Sequence, residues 1–122
     1  MASIANPSFE FVADITGFRA PTSLVVRLTG RLRRKEELLT SLAAGLKFPK
    51  YFGKNWDALE ECLCDLSWLG NRSGIVLVHK YLPLASERQK KTYLKILARA
   101  QTVQRVPLRV IFPESARAQI EQ

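Results

Sequence analysis

Three short apolar stretches, separated by longer amphipathic segments, organise this chain. Residues 23–28 (SLVVRL), 74–79 (GIVLVH) and 108–112 (LRVIF) are rich in aliphatic and β-branched side chains, which predicts strands. The unbroken apolar run at 74–79 predicts a strand buried on both faces. After the first strand, Leu38, Leu39, Leu42 and Leu46 recur at helical spacing, predicting a helix over 35–46 that Phe48 and Pro49 end. The loop KYFGKN then leads into NWDALEECLCDLSW, a second helix over 55–68 with Asn55 as N-cap and Gly70 closing it. Ser86 and Gln89 fit a capping box for a third helix running to about residue 102. Tyr93, Leu94, Ile96, Leu97 and Ala100 supply its apolar face. Helical crossovers between strands imply an α/β fold: a small three-stranded parallel sheet with helices packed on it. Before it, Phe9, Phe11 and Ala13 alternate with Glu10 and Asp14 between Pro7 and Pro21, the pattern of an extra N-terminal edge strand.

Length and composition fit one globular domain: 122 residues, 47% hydrophobic and 25% charged. No apolar run reaches the roughly 18 residues that span a bilayer, so no membrane partner is expected. The N-terminus has neither a basic region nor a continuous apolar stretch, and Cys62 and Cys64 are too few and too close for a disulfide framework. A reducing cytoplasm is the expected compartment. With one His and an isolated C-x-C pair, neither a metal site nor a cofactor is implied.

Charge changes the picture. The 19 Lys and Arg exceed the 11 Asp and Glu by eight, an excess that attracts nucleic acid, an anionic membrane or an acidic partner. Its distribution is uneven. Residues 55–68 hold four acids and no base, a net of −4, which leaves +12 for the rest of the chain. With Leu59 at zero on a helical wheel, Cys62, Leu63 and Leu66 fall within about 60° of it. Glu60, Asp57, Glu61 and Asp65 fall at about 100°, 160°, 200° and 240°. One face is aliphatic and the other acidic. Asp57, Glu61 and Asp65 repel one another at i, i+4 spacing by a few tenths of a kcal/mol per pair. Such a face suits a complement on another molecule.

Tyr51, Phe52 and Trp56 flank Gly53 and Asn55 just before this face. Aromatics beside charge are the composition of an interface hot spot. Phe52 reads as a core plug and Tyr51 as exposed, whereas Trp56 sits at the border and suits either role. Phe48-Pro49-Lys50-Tyr51-Phe52-Gly53-Lys54-Asn55-Trp56-Asp57-Ala58-Leu59, followed by Cys62-Leu63, resembles the signature of the barstar family of intracellular ribonuclease inhibitors. The element order over 23–112 is similar to that family's small parallel sheet. The resemblance implies a domain over 22–113, with residues 1–21 as an N-terminal extension and 114–122 as a tail. It implies inhibition by occlusion, the aromatic loop and acidic helix (51–65) filling the basic cleft of a ribonuclease or nuclease-like toxin. Tyr51, Asn55, Trp56, Asp57 and Glu61 match the family's interface positions, and Glu60 and Asp65 extend the acidic face. Gly53 and Asn55 would set the loop and the helix start. Glu61 stands where the best-known member has Asp, and Cys64-Asp65-Leu66 replaces a small-residue turn, which implies a longer helix.

Two other readings compete. Arg31, Arg33, Arg34 and Lys35, with the stripe Arg88, Lys91, Lys95 and Arg99, fit a nucleic-acid-binding module. The basic segments lack interleaved aromatics, which favours a solvated surface. A barstar-fold adaptor for a non-nuclease partner is the third reading. Cys62 reads as a buried thiol, Cys64 as a poorly reactive one among acids, and His79 as a core or strand-end histidine. No nucleophile elbow or phosphate loop is present, so the chain does not read as an enzyme.

Overall fold

The computed structural model describes residues 9–50, 52–70, 74–104 and 106–121. The apolar stretches form the strands β2 (Leu24–Leu28), β3 (Ile75–His79) and β4 (Leu108–Pro113). They are joined by β1 (Phe9–Val12), the extra N-terminal edge strand that the alternation at 9–13 suggests, so the described sheet has four parallel strands in the order β1-β4-β3-β2. The alternation of its side chains explains why β1 docks. Phe9 and Phe11 lie against Phe112 at 5.6 and 6.4 Å between ring centroids. On the opposite face, Glu10 takes two hydrogen bonds, at 2.8 and 2.7 Å, from the Arg109 guanidinium. That bidentate pair holds the Glu10 carboxyl below its ordinary pKa.

The helices are α1 (Lys35–Leu46), α2 (Trp56–Asp65), α3 (Glu87–Val103) and a short α4 (Arg117–Ile120). Leu38, Leu39, Leu42 and Leu46 of α1 are fully buried, as the spacing predicts. Ser86 caps α3 by accepting from the Gln89 N–H at 3.2 Å. The second helix is shorter than its sequence pattern predicts. It stops at Asp65 because Leu66 turns left-handed (φ 50°), where its N–H still donates to the Cys62 carbonyl at 3.1 Å. A left-handed Leu is unfavourable by roughly 1–2 kcal/mol. Burying Leu66 and returning Trp68 to the core offset this: the Trp68 indole donates to the Leu46 carbonyl at 2.9 Å and its ring meets Phe48.

Two cores flank the sheet. On one face α1, α2 and α3 pack Leu38, Leu59, Leu63 and Leu97 against Val26, Leu77, Val110 and Phe112. Among the described residues, no helix contributes to the second core. Because β1 and β2 are opposite edges, the chain between them (residues 13–23) crosses that face, laying Ile15, Phe18 and Ala20 against Val76, Val78 and Ile111. Strand β3 is accordingly buried along its whole length.

Candidate functional site

A tightly specified turn sets the start of α2. Lys47 is left-handed (φ 55°) and ends α1, and the Phe48 N–H returns to the Ala43 carbonyl at 2.9 Å. Phe52 donates to Pro49 at 3.0 Å and packs edge-on against Phe48 (4.8 Å), half-buried at the core margin. Lys54 is also left-handed (φ 52°), which swings Asn55 into an extended conformation. From there Asn55 Oδ1 accepts from the Ala58 N–H at 2.7 Å. A Cβ on Gly53 would stand 3.2 Å from Asn55 Nδ2, so the glycine gives the cap its room. Tyr51 lies outside the described residues.

The four acids of α2 occupy different settings. Asp57, Glu61 and Asp65 are exposed. Asp65 Oδ1 accepts from the Ser67 N–H at 3.3 Å and so serves the helix end. Glu60 is half-buried and paired with Arg99 of α3, Nε to Oε2 at 2.7 Å. Arg99, read from sequence as one end of a basic stripe, therefore has a partner within the chain. Among the described residues, Asp57 and Glu61 form no ion pair. They stand one turn apart on the outer face of a helix whose inner face (Leu59, Cys62, Leu63) is buried.

Trp56 packs against the margin of the core. It is half-buried and its ring lies 6.5 Å from that of Tyr93. Beneath it, the fully buried Tyr93 hydroxyl is 2.7 Å from His79 Nε2, and His79 Nδ1 is 3.0 Å from the Ile111 carbonyl. A carbonyl only accepts, so the proton belongs on Nδ1 and Tyr93 donates to Nε2. Burial pushes the His79 pKa down to about 4, against a smaller upward effect of the Ile111 bond, and pushes the Tyr93 phenol up. His79 is thus a neutral core histidine stacked on Phe112 at 4.3 Å. The contacts Trp56–Tyr93, Glu60–Arg99 and Leu63 carbonyl–Gln104 set α2 alongside α3 in the same direction.

Both cysteines are free, and both thiols are raised, first by burial. Glu61 and Asp65 add to this at Cys62; at Cys64, Glu60 raises and Arg99 opposes. Neither is activated as a nucleophile. Among the described residues, no three His, Cys, Asp or Glu cluster to hold a metal, and no helix is long and apolar enough to cross a membrane. Tyr81 alters the reading of the basic segments as free of aromatics. Its ring lies 4.3 Å from the Arg31 guanidinium and 5.7 Å from the Lys80 ammonium. Residues 31–34 and 80–86 are joined by hydrogen bonds from Leu84 to Leu32 and from Ala85 to Arg33, both 2.9 Å. Pairings of loops so far apart in sequence leave no local pattern to read.

Fold and site define a small parallel α/β domain displaying a capped acidic helix beside an aromatic turn. Residues 23–113 match the family model Barstar (barnase inhibitor), and the chain belongs to that family. The family is one of inhibitors, not of enzymes. Comparisons with curated proteins and with solved structures return no match.

Proposed function

We propose that this protein is a stoichiometric, cytoplasmic inhibitor of a basic ribonuclease or ribonuclease-like toxin, protecting the cell that produces it. The carrying observation is the pair Asp57 and Glu61: exposed, one turn apart, and without an ion pair among the described residues. Two uncompensated carboxylates on a rigid helix raise each other's energy, and a cation supplied by a partner relieves it. A ribonuclease cleft built to hold phosphates offers such cations, and the carboxylates take the place of the RNA backbone's charge. Tyr51 and Trp56 act as aromatic anchors beside them. Asn55 and Gly53 keep the turn in shape, while Glu60 and Asp65 form the rim. Occupying the cleft excludes RNA, so no bond in the target need be made or broken.

The test is a titration of candidate small basic nucleases, with RNA cleavage as the readout. Wild type inhibits at one-to-one stoichiometry. The double reversal Asp57→Lys with Glu61→Lys raises Kd by roughly 100-fold or more while leaving the circular dichroism spectrum unchanged. Unchanged affinity in the double variant would overturn the interface. Failure to inhibit any such nuclease at any stoichiometry would point to an adaptor for another partner.

A further inference from the structure

On the side of the sheet away from α2, a cavity of about 620 Å³ opens between the 13–23 crossover and strands β2 and β3. Ile15, Pro21, Val25 and Val78 give it apolar walls, and Arg19, Arg27 and Lys80 line it with positive charge. Among the described residues, no carboxylate lines it. The two guanidinium groups are oriented by neutral partners. Arg19 Nη1 donates to the carbonyls of Thr16 (3.0 Å) and Phe18 (2.9 Å). Arg27 donates to those of Ile15 (3.3 Å) and Phe18. Carbonyls fix the direction of these cations without cancelling their charge. The acid coupled to Arg19, Asp14, owes its lowered pKa first to the Thr16 hydroxyl and the Gly17 N–H, with Arg19 the smallest cause.

We propose that this cavity binds a small amphipathic organic anion, its head on Arg19, Arg27 and Lys80 and its alkyl or aryl body on Val25, Val78, Ile15 and Pro21. The volume lies in the range of small-molecule sites, which combine apolar walls with a few convergent polar groups. Charge complementarity selects an anion over a neutral amphiphile, and the apolar walls select an anion with a body over inorganic phosphate. The site is separate from the nuclease-facing helix, so the two proposals stand or fall independently.

The full chain is titrated with decanoate below its micelle-forming concentration, and backbone amide shifts are followed by NMR. Saturable shifts are expected at Val25, Arg27 and Val78. Octanoate binds about tenfold more weakly, as two fewer buried methylenes require. Octanol binds at least about tenfold more weakly than octanoate, since it lacks the charge. The double variant Arg19→Gln with Lys80→Gln loses about tenfold in affinity for decanoate with amide dispersion retained. Arg27 is left in place because it holds the crossover. Absence of saturable shifts on this face, or equal binding of octanol and octanoate, would overturn the proposal. So would sedimentation with anionic phospholipid vesicles without any saturable decanoate response, which would assign the face to membrane electrostatics.

Discussion

His79 has no contact with solvent and two hydrogen-bond partners, and its burial makes stability depend on pH. Its folded pKa, about 4, lies below the ordinary 6.5, so the unfolded chain binds the extra proton between these values. The stabilising contribution is complete above pH 6.5 and is lost as pH falls toward 4. Urea unfolding should show the protein about 2 kcal/mol less stable at pH 5 than at pH 7. In His79→Gln that difference should largely vanish; an equal drop in the variant would assign the effect to other groups. The depressed Glu10 and Glu114 carboxyls act with the same sign, at lower pH. The apolar run around His79 announces a buried strand. That its ring finds Tyr93 and Ile111 is legible only once α3 and β4 are in place.

At the scale of the element, α2 shows what local chemistry specifies and what it does not. Its start is local: Gly53 and Asn55 announce the cap in sequence, and the structure adds a left-handed Lys54 between them. Asn55→Ala should lower stability by about 1 kcal/mol, or about 4 °C in Tm, read by thermal unfolding. Asn55→Asp caps as well and should restore it. Nuclease affinity of the Asp variant then separates two roles. Wild-type binding there limits Asn55 to capping, whereas a loss with stability intact makes its amide a contact. The end of α2 is not local. Periodicity continues through Leu66, and the stop comes from packing Trp68 beneath α1, a contact 22 residues away in sequence.

At the scale of the molecule, the parallel sheet forces long connections, and the one from β1 to β2 covers a sheet face as a helical layer would. Ile15 and Phe18 are its larger apolar contacts, with Phe18 also lying 5.2 Å from the Arg109 guanidinium. Replacing both with Ser should destabilise the fold by about 2–3 kcal/mol and promote binding of a hydrophobic dye to the uncovered face. Urea unfolding and dye fluorescence check this, and a change within about 0.5 kcal/mol would mean the crossover is not part of the core. The net charge of +8 also divides at this scale, since Arg99 neutralises Glu60, and Arg109 and Arg117 are paired with Glu10 and Glu114.

The strand and helix order, the leucine face of α1, the cap of α2 and its segregated acids follow from the sequence alone. Each rests on periodicity or on residues within one turn of one another, where local geometry is enough. Only the tertiary structure decides that 9–12 joins the sheet as β1, because its partners in β4 lie at the other end of the chain. The same holds for which acids find a cation among the described residues. The wheel puts all four on the polar side without naming their partners: Glu60 meets Arg99 from α3, Asp65 serves a turn, and Asp57 and Glu61 face outward. A wheel shows direction around one axis; a counter-ion from a second helix depends on how the two axes pack.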